Sequence, residues 1–375
     1  MKYKTIELSH TNEIIQTYGV NSLMAKVIES KKIDQKQFKS FMDPHLVYHD
    51  FSLFEEADET LERIEEAIAN KEKICIYGDY DCDGILATTI LVQAFHERGV
   101  EVGYHIPNRF TDGYGLNTTR VEQMAEKGYS LIITVDNGIK AFDAVEKAGE
   151  LGIDVIITDH HAFDGEVPVA YSIIHTKMSP KYPFKEICGG FIAYKLAAAL
   201  LKHHDPYLFT LASITTISDM MPLLDENRSL VRRGLQFMKQ YKYPSLELLK
   251  GSRDYDVTTI GFTIAPRINA FGRLPELVNP VYLVKYFLKE ADPAYLEKIS
   301  NYASKINSKR QSLTTSLYKE AVTDTSSSCL FYGSENMHEG LVGLVAGKYT
   351  REYEQPAFVM HYNPKEEIYK GSARG

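Results

Sequence analysis

Three aspartates stand within five positions directly after a short apolar run, in the stretch KICIYGDYDCDG. If Asp79, Asp81 and Asp83 were all ionised at close range, each carboxylate would repel the other two. A bound divalent cation reverses that penalty, because its positive charge neutralises the carboxylates around it. The spacing therefore predicts a metal site at this turn.

Potential ligands also follow three other segments of the chain. They are Asp136 in LIITVDNG, Asp159, His160 and His161 in DVIITDHH, and Asp219 in ASITTISDMMPL. A single aspartate after a strand is most often a turn or helix cap. Carboxylates and imidazoles that converge from separate loops instead build a site for two divalent cations, and such a pair can activate water for attack at phosphorus. Their combination favours a metal-dependent phosphoesterase.

Short β-type runs alternate with helical segments from residue 73 to about residue 190. The runs EVGYHIP, LIITVD, DVIITDHH and YSIIH are separated by segments such as LATTILVQAFHERG. This alternation predicts βαβ units, and hence an α/β fold with a mainly parallel sheet flanked by helices. Ligands of such sheets collect beyond the carboxyl ends of the strands, near a topological switch point. The acidic turn and the other candidate ligands have that location.

The chain of 375 residues is longer than a typical single domain, which predicts two or three folded units. We expect an α/β domain with an N-terminal helical extension at residues 1–235, and a helical connector at residues 236–325. Residues 326–375 are predicted to form the first part of a second α/β domain. The polar stretch TDTSSS at residues 323–328 is typical of a linker.

The composition is that of an ordinary globular protein, with 44% hydrophobic and 25% charged residues. A net charge of −8 argues against a uniformly basic nucleic-acid binder but allows a local basic groove. The four cysteines show no CxxC spacing, which favours free thiols in a reducing compartment. The chain shows no apolar signal segment and no run of about 18 apolar residues, so we expect a cytoplasmic protein without a membrane partner.

The motifs GDYDCDG, VDNGI, TDHH and SDMMPL, in this order, resemble those of the DHH phosphoesterase superfamily, and most closely its RecJ branch of single-strand-specific exonucleases. The resemblance continues through IGFTIAPRINAFGRL at 260–274 and MHEGLVGLVAGKY at 337–349, so it spans nearly the whole chain. It implies a 5′-to-3′ exonuclease that hydrolyses phosphodiester bonds of single-stranded DNA to 5′-mononucleotides in DNA repair and recombination. It also implies two divalent metal ions, Mn²⁺ or Mg²⁺.

The resemblance further implies how the candidate ligands divide their roles. Six residues would hold the metals, with Asp136 as the bridging ligand: Asp79, Asp81, Asp83, Asp136, His160 and Asp219. His161 would face the scissile phosphate, so His161 and Asp136 are the predicted catalytic residues. Asp159 is expected to orient the histidine pair or cap the turn rather than to bind metal.

Arg109, in HIPNRFTDGYGL, could present a guanidinium fork to a phosphate. The resemblance assigns it to a pocket for a 5′-phosphate, together with Ser372 and Arg374 of the terminal KGSARG. The chain stops at Gly375, where the resemblance leads us to expect a serine and then the rest of the second domain and an OB-type module. We therefore expect the metal site to be complete and the nucleic-acid interface to be shortened.

Arg267, Asn269 and Arg273 lie close together in APRINAFGR, among helix-breaking residues. We expect them to contact substrate, with helix capping and interdomain bridging as the alternatives. His338 resembles part of the family's second-domain signature and is also a candidate for substrate contact, with a plain turn residue as the alternative.

The expected partner is the 5′ end of single-stranded DNA, and a single-strand-binding protein or a helicase could deliver it. Two other functions remain open at this point. One is the same chemistry on short oligonucleotides or cyclic dinucleotides. The other is a replication scaffold that has lost its chemistry, although such a protein would be expected to have lost metal ligands that this chain retains.

Overall fold

The computed structural model describes residues 7–42, 47–113, 115–321 and 327–375, except for the side chains of Gln35, Lys36, Lys39 and Ser40. The N-terminal and central helices are α1 Thr11–Tyr18, α2 Ser22–Ser30, α3 Gln35–Met42, α4 Ala57–Ala69, α5 Cys82–Glu97, α6 Thr118–Glu126, α7 Phe142–Glu150, α8 Gly189–Leu201, α9 Pro206–Ser218 and α10 Asp225–Tyr241. The later helices are α11 Pro244–Lys250, α12 Val257–Thr259, α13 Ala265–Arg273, α14 Val281–Phe287, α15 Pro293–Glu320 and α16 Val342–Tyr353.

Two sheets are present in the described residues. The strands are β1 Ile74–Tyr77, β2 Gly103–His105, β3 Leu131–Val135, β4 Asp154–Thr158, β5 Ser172–Ile174, β6 Leu330–Ser334, β7 Ala357–Asn363 and β8 Ile368–Arg374. The first sheet has the order β2-β1-β3-β4-β5, and all of its strands are parallel. The predicted α/β fold with a mainly parallel sheet is therefore confirmed.

The strand order explains where a ligand can bind. From β1 the chain moves outward to β2, and it then returns across β1 to form β3 on the other side. The order thus reverses between β1 and β3, and a crevice forms where the two connections leave in opposite directions. The loop after β1 carries Asp79 and Asp81, and Asp136 follows β3 directly.

Both faces of the first sheet are buried, as expected for parallel strands covered by helices. On one face, Ile74 and Ile76 of β1 pack in the core that also includes α5, α8 and α9. On the other face, Cys75 and Tyr77 pack in the core that includes α6 and α7. The continuous apolar runs of the strands follow from this double burial.

A helical region and α15 lead from the first sheet to the second. The side chain of Asp292 caps α15 by accepting hydrogen bonds from the backbone of Ala294 and Tyr295. The second sheet has the order β6-β7-β8, with β6 and β7 parallel and β8 antiparallel to β7, and α16 packs against it. Although α15 is 28 residues long, no helix in the described ranges is both long and apolar enough to cross a membrane.

The four cysteines are free thiols, as predicted. The expected domain boundary at residue 235 falls inside α10. This helix is continuous through residue 235 and packs against α9. We therefore propose that the boundary follows Tyr241 instead. The boundary between residues 325 and 326, and most of the predicted linker at 323–328, lie outside the described residues.

Candidate active site

The acidic turn after β1 folds back on itself at the start of α5. Asp81 is the N-cap of that helix, and its Oδ1 accepts hydrogen bonds from the backbone N–H groups of Asp83 (2.9 Å) and Gly84 (3.1 Å). A Cβ atom at Gly84 would lie only 2.5 Å from the backbone nitrogen of Asp79. Glycine at position 84 therefore allows the close approach that brings the three aspartates together.

Asp83 is buried and held by the N-terminus of α8. The N–H groups of Gly189 and Gly190 donate to its two carboxylate oxygens, each at 2.8 Å. A helix N-terminus stabilises a carboxylate through these free N–H groups and the helix dipole. A Cβ atom at Gly190 would lie 2.5 Å from Oγ1 of Thr215 and 2.8 Å from Oδ1 of Asp83, so only glycine fits there.

Asp136 has a strained backbone at the carboxyl end of β3. Its φ is 63°, in the left-handed region that residues other than glycine seldom adopt. Strain of this kind concentrates at functional sites, where the surrounding structure holds it in place. Oδ1 of Asp136 lies 3.0 Å from Nε2 of His160, which follows β4. The strained turn thus directs a buried carboxylate toward the next strand end.

Asp159 orients both histidines, as expected. Its Oδ1 accepts hydrogen bonds from the N–H of His160 (2.7 Å) and from Nδ1 of His161 (2.7 Å), and its Oδ2 accepts one from the N–H of Ile139 (3.0 Å). Burial opposes the charged ring of His161, but the hydrogen bond to Asp159 and the charge of that carboxylate outweigh it and raise the pKa of His161. The His161 side chain remains 42% exposed, against 10% for His160.

The six predicted metal ligands converge in two adjoining groups. Asp79, Asp81 and Asp136 each offer an oxygen within 4.8 Å of the others, and Asp83, His160 and Asp219 do the same with two oxygens and a ring nitrogen. The short distance between Asp136 and His160 joins the two groups.

The carboxylates of this cluster carry more negative charge than the nearby protein groups neutralise. Burial, reinforced by neighbouring carboxylates, raises the pKa of Asp79 and of Asp136 well above the usual range, and raises that of Asp219 to about 8. Oδ1 of Asp79 is buried without a hydrogen-bond partner among the described residues, which is uncommon for a carboxylate. A set of oxygen donors with one imidazole suits Mn²⁺ or Mg²⁺, whose charge would keep these carboxylates ionised.

A second feature lies next to the acidic cluster. A cavity of about 340 Å³ is lined by Tyr80 and Arg109 from the first domain, by Arg273 from α13, and by Ser372 and Arg374 from the second sheet. The guanidinium of Arg109 lies 4.3 Å from the centre of the Tyr80 ring, a cation–π contact. Since Tyr80 stands between Asp79 and Asp81, this arginine pocket adjoins the candidate metal ligands.

A backbone carbonyl of the second domain contacts two arginines of the pocket. Arg109 and Arg273 both direct a guanidinium N–H toward the carbonyl of Gly340, each at 3.4 Å, and Nη1 of Arg374 donates to Oγ of Ser372 at 2.8 Å. The structure thus brings together Arg109, Ser372 and Arg374, as the sequence predicts, and adds Arg273 to them.

Three other predicted substrate contacts do not line this pocket. Arg267 donates to the carbonyl of Leu249 at the end of α11. Oδ1 of Asn269 accepts from the N–H of Cys82 at 2.7 Å and so ties α13 to the start of α5. His338 is bonded to Oε1 of Glu276 through Nε2, and its Nδ1 accepts from the N–H of Gly340, both at 3.1 Å. These bonds cap the end of a helix or bridge two elements of the fold. Substrate contact stays a prediction for these three residues.

Comparison with protein-family models identifies the fold unit that carries the acidic cluster. Residues 73–218 match the model of the DHH family, N-terminal domain. The chain belongs to the DHH family. The matched segment begins at β1 and ends immediately before Asp219, so the DHH domain contains five of the six predicted ligands.

Two relatives of this DHH-family chain share one name. The single-stranded-DNA-specific exonuclease RecJ of Bacillus subtilis (strain 168) is 38% identical over 327 residues, which cover 84% of this chain and 41% of that protein. The protein of the same name from Thermus thermophilus is 31% identical over 305 residues, which cover 79% of this chain and 45% of that protein. The chain described here therefore spans less than half the length of either relative.

Solved structures resemble the chain over both sheets. A crystal structure of RecJ in complex with Mn²⁺ from Thermus thermophilus has a TM-score of 0.79 and 25% identity, covering 94% of this chain and 52% of that one. A crystal structure of exonuclease RecJ bound to manganese has a TM-score of 0.74 and 28% identity, covering 85% of this chain and 82% of that one.

Sequence reasoning missed two parts of this DHH site. It did not identify the contact of Gly189 and Gly190 with Asp83, although a glycine pair at a predicted helix start is a known signal for anion binding. It also gave no role to Tyr80, because an aromatic residue between two aspartates shows no partner in the sequence. Both features depend on contacts that form only in the folded chain.

We predict that Gly190→Ala destabilises the chain by about 1–3 kcal/mol, because the added methyl group would overlap Thr215 and Asp83. The same overlap should reduce the rise in melting temperature that Mn²⁺ produces. Thermal denaturation with and without Mn²⁺ measures both effects. Gly149→Ala is the matched control, since its Cβ would meet no atom within 4 Å. A Gly190→Ala variant that matched this control in both measurements would show that the predicted overlap does not occur.

Proposed function

We propose that this chain is a metal-dependent 5′-to-3′ exonuclease that hydrolyses the phosphodiester bonds of single-stranded DNA and releases 5′-mononucleotides. The observation that carries the proposal is the arginine pocket beside two adjoining groups of metal ligands. The names of the RecJ relatives and the manganese in the similar structures support it. DNA repair and recombination are the processes that such an activity would serve.

In this proposal one divalent ion, Mn²⁺ or Mg²⁺, would be held by Asp79, Asp81 and Asp136, and a second by Asp83, His160 and Asp219. The proximity of Asp136 to His160 makes this aspartate the candidate bridging ligand. Divalent ions bound there would supply positive charge that favours ionisation of a nucleophilic water and offsets the charge developing at phosphorus.

His161 is the proposed catalytic side chain that the metals do not occupy. Asp159 accepts the hydrogen bond from Nδ1 and raises the pKa of the ring, which stabilises the imidazolium form relative to an unpaired histidine. Its Nε2–H can then donate to an oxygen of the scissile phosphate and stabilise the negative charge that forms there. Since the side chain is held in place before the reaction, little reorganisation is needed.

The arginine pocket would set the polarity of the reaction. Arg109, Arg273, Ser372 and Arg374 would bind the terminal 5′-phosphate, because a guanidinium fork matches the oxygens of a phosphate. Tyr80 lines this pocket and has a metal ligand on each side of it in the chain, so the first linkage of an anchored strand would reach the metals. A single-strand-binding protein or a helicase is the proposed kind of partner, since either would supply single strands.

We predict that Asp136→Asn lowers the rate of strand degradation at least about 100-fold, because it removes a charged ligand of one group that also adjoins His160 of the other. Asparagine keeps the side-chain shape and tolerates the left-handed backbone at this position. The measurement is the shortening, with Mn²⁺, of a 5′-phosphorylated strand of about 20 nucleotides that is labelled at its 3′ end. Asp143→Asn, an exposed aspartate on α7, is the control and should retain wild-type activity. Wild-type activity in Asp136→Asn would support a scaffold function instead.

We also predict that a 5′-phosphorylated strand has a kcat/KM about 10-fold or more above that of the same strand with a 5′-hydroxyl, the value expected for charge-assisted hydrogen bonds. Arg109→Met should remove most of this preference, whereas Arg351→Met, at an exposed position on α16, should keep it. A chain that cleaved a dinucleotide faster than the long strand would instead favour the short-oligonucleotide function.

A further inference from the structure

Arg310 occupies an inward position on α15. The buried residues of this helix follow helical spacing, and they include Ala303, Ile306 and Leu317. Arg310 lies four residues after Ile306 and seven before Leu317, and so falls on the same face. Its Nε atom is buried. A charged side chain thus stands where the helix otherwise presents apolar residues to its neighbours, α13 and α16.

This guanidinium has no counter-charge in the part of the chain that the structure describes. Nε has no hydrogen-bond partner there, and no carboxylate lies within ion-pair distance of the side chain. Burial lowers the pKa of Arg310, in keeping with a cation partly removed from water and not compensated. Arg310 is half-buried, and a polar N–H that is buried without a partner costs free energy, so the Nε group does not contribute to stability.

The charge of Arg310 acts on a second arginine, Arg273. Arg273 lies at the end of α13, against which α15 packs. Burial, followed by the charges of Arg109 and Arg310, lowers the pKa of Arg273 to about 10. Neither Arg109 nor Arg273 forms an ion pair with a carboxylate among the described residues, and their shared contact is the carbonyl of Gly340. Two arginines of the pocket and Arg310 on α15 are therefore coupled through the charge that acts on Arg273.

Asn307 adds a second polar group on this face. It precedes Arg310 by one turn of α15, and its Oδ1 is also buried without a hydrogen-bond partner in the described residues. Within one turn of α15, the Nε donor of Arg310 and the Oδ1 acceptor of Asn307 therefore both lack a partner among the described residues. A nucleotide presents the matching groups, since its phosphate accepts hydrogen bonds and its base or sugar donates them.

We propose that Arg310 binds a backbone phosphate of the nucleic-acid strand on the α15 side of Arg273, so that the arginine pocket extends to this helix. Asn307 receives a hydrogen bond from the same nucleotide. This inference rests on the proposed function, because it assigns a further contact to the same substrate. It accounts for the charges of Arg109 and Arg310 that act on Arg273 in the free protein and that a polyanion would neutralise.

The test compares Arg310→Met with Lys309→Met, which removes the same charge from the neighbouring, exposed position of α15. The probe is a 5′-phosphorylated single strand of about 20 nucleotides that carries hydrolysis-resistant phosphorothioate linkages at its 5′ end, so that it can be bound in Mn²⁺ without being degraded. Affinity is measured over a series of salt concentrations, and the melting temperature of each free variant is recorded. We expect Arg310→Met to bind about 10-fold or more weakly and to lower the salt slope by about 0.7, the value for one phosphate contact on a single strand.

The melting temperature separates binding from structure. If Arg310 serves the ligand, Arg310→Met melts at or above the wild-type temperature, because an uncompensated charge is removed. Should the variant melt lower, Arg310→Lys decides: a lysine that restores the salt slope supports the phosphate contact, and one that does not overturns it. Equal affinity and slope in Arg310→Met and Lys309→Met also overturn this inference while the wild-type chain still binds. Failure of the wild-type chain to bind the strand would overturn the proposed function itself.

Discussion

The repulsion among buried carboxylates at the carboxyl ends of β1 and β3 is the constraint on which the rest of the structure depends. Several contacts of the chain hold these carboxylates close to one another. The N-terminus of α8 binds Asp83, the left-handed turn holds Asp136, and Asp159 fixes the histidine pair. Protein groups neutralise only part of this charge, so the arrangement is complementary to cations.

The arginine pocket also carries uncompensated charge, and there the charge is positive. Arg109 and Arg273 in the pocket, and Arg310 on α15, have no carboxylate ion-pair partners among the described residues, much as the acidic cluster lacks enough cationic groups. Tyr80 lies at the junction of the two sets. A phosphodiester strand with its metal ions would satisfy both, since its phosphates pair with the arginines and the ions pair with the aspartates.

Much of this was predictable from the sequence, because strand alternation and the position of a residue after a strand are local properties. The parallel sheet and the convergence of Asp79, Asp81, Asp136 and His160 follow from such patterns. Asp219 follows helix α9 rather than a strand, and the grouping of Arg109 with Ser372 and Arg374 came from the resemblance alone. The contacts of Gly190 with Asp83 and of Asn269 with Cys82 were not predictable, since they join residues more than 100 positions apart. Arg310 was missed because a lone arginine in a polar helix is usually solvent-exposed.

The most direct test of the central claim is anomalous diffraction from a crystal of this chain soaked in Mn²⁺. The account predicts two anomalous peaks, one enclosed by Asp79, Asp81 and Asp136 and the other by Asp83, His160 and Asp219. Peaks elsewhere in the molecule, or a cluster that binds no manganese at all, would contradict it.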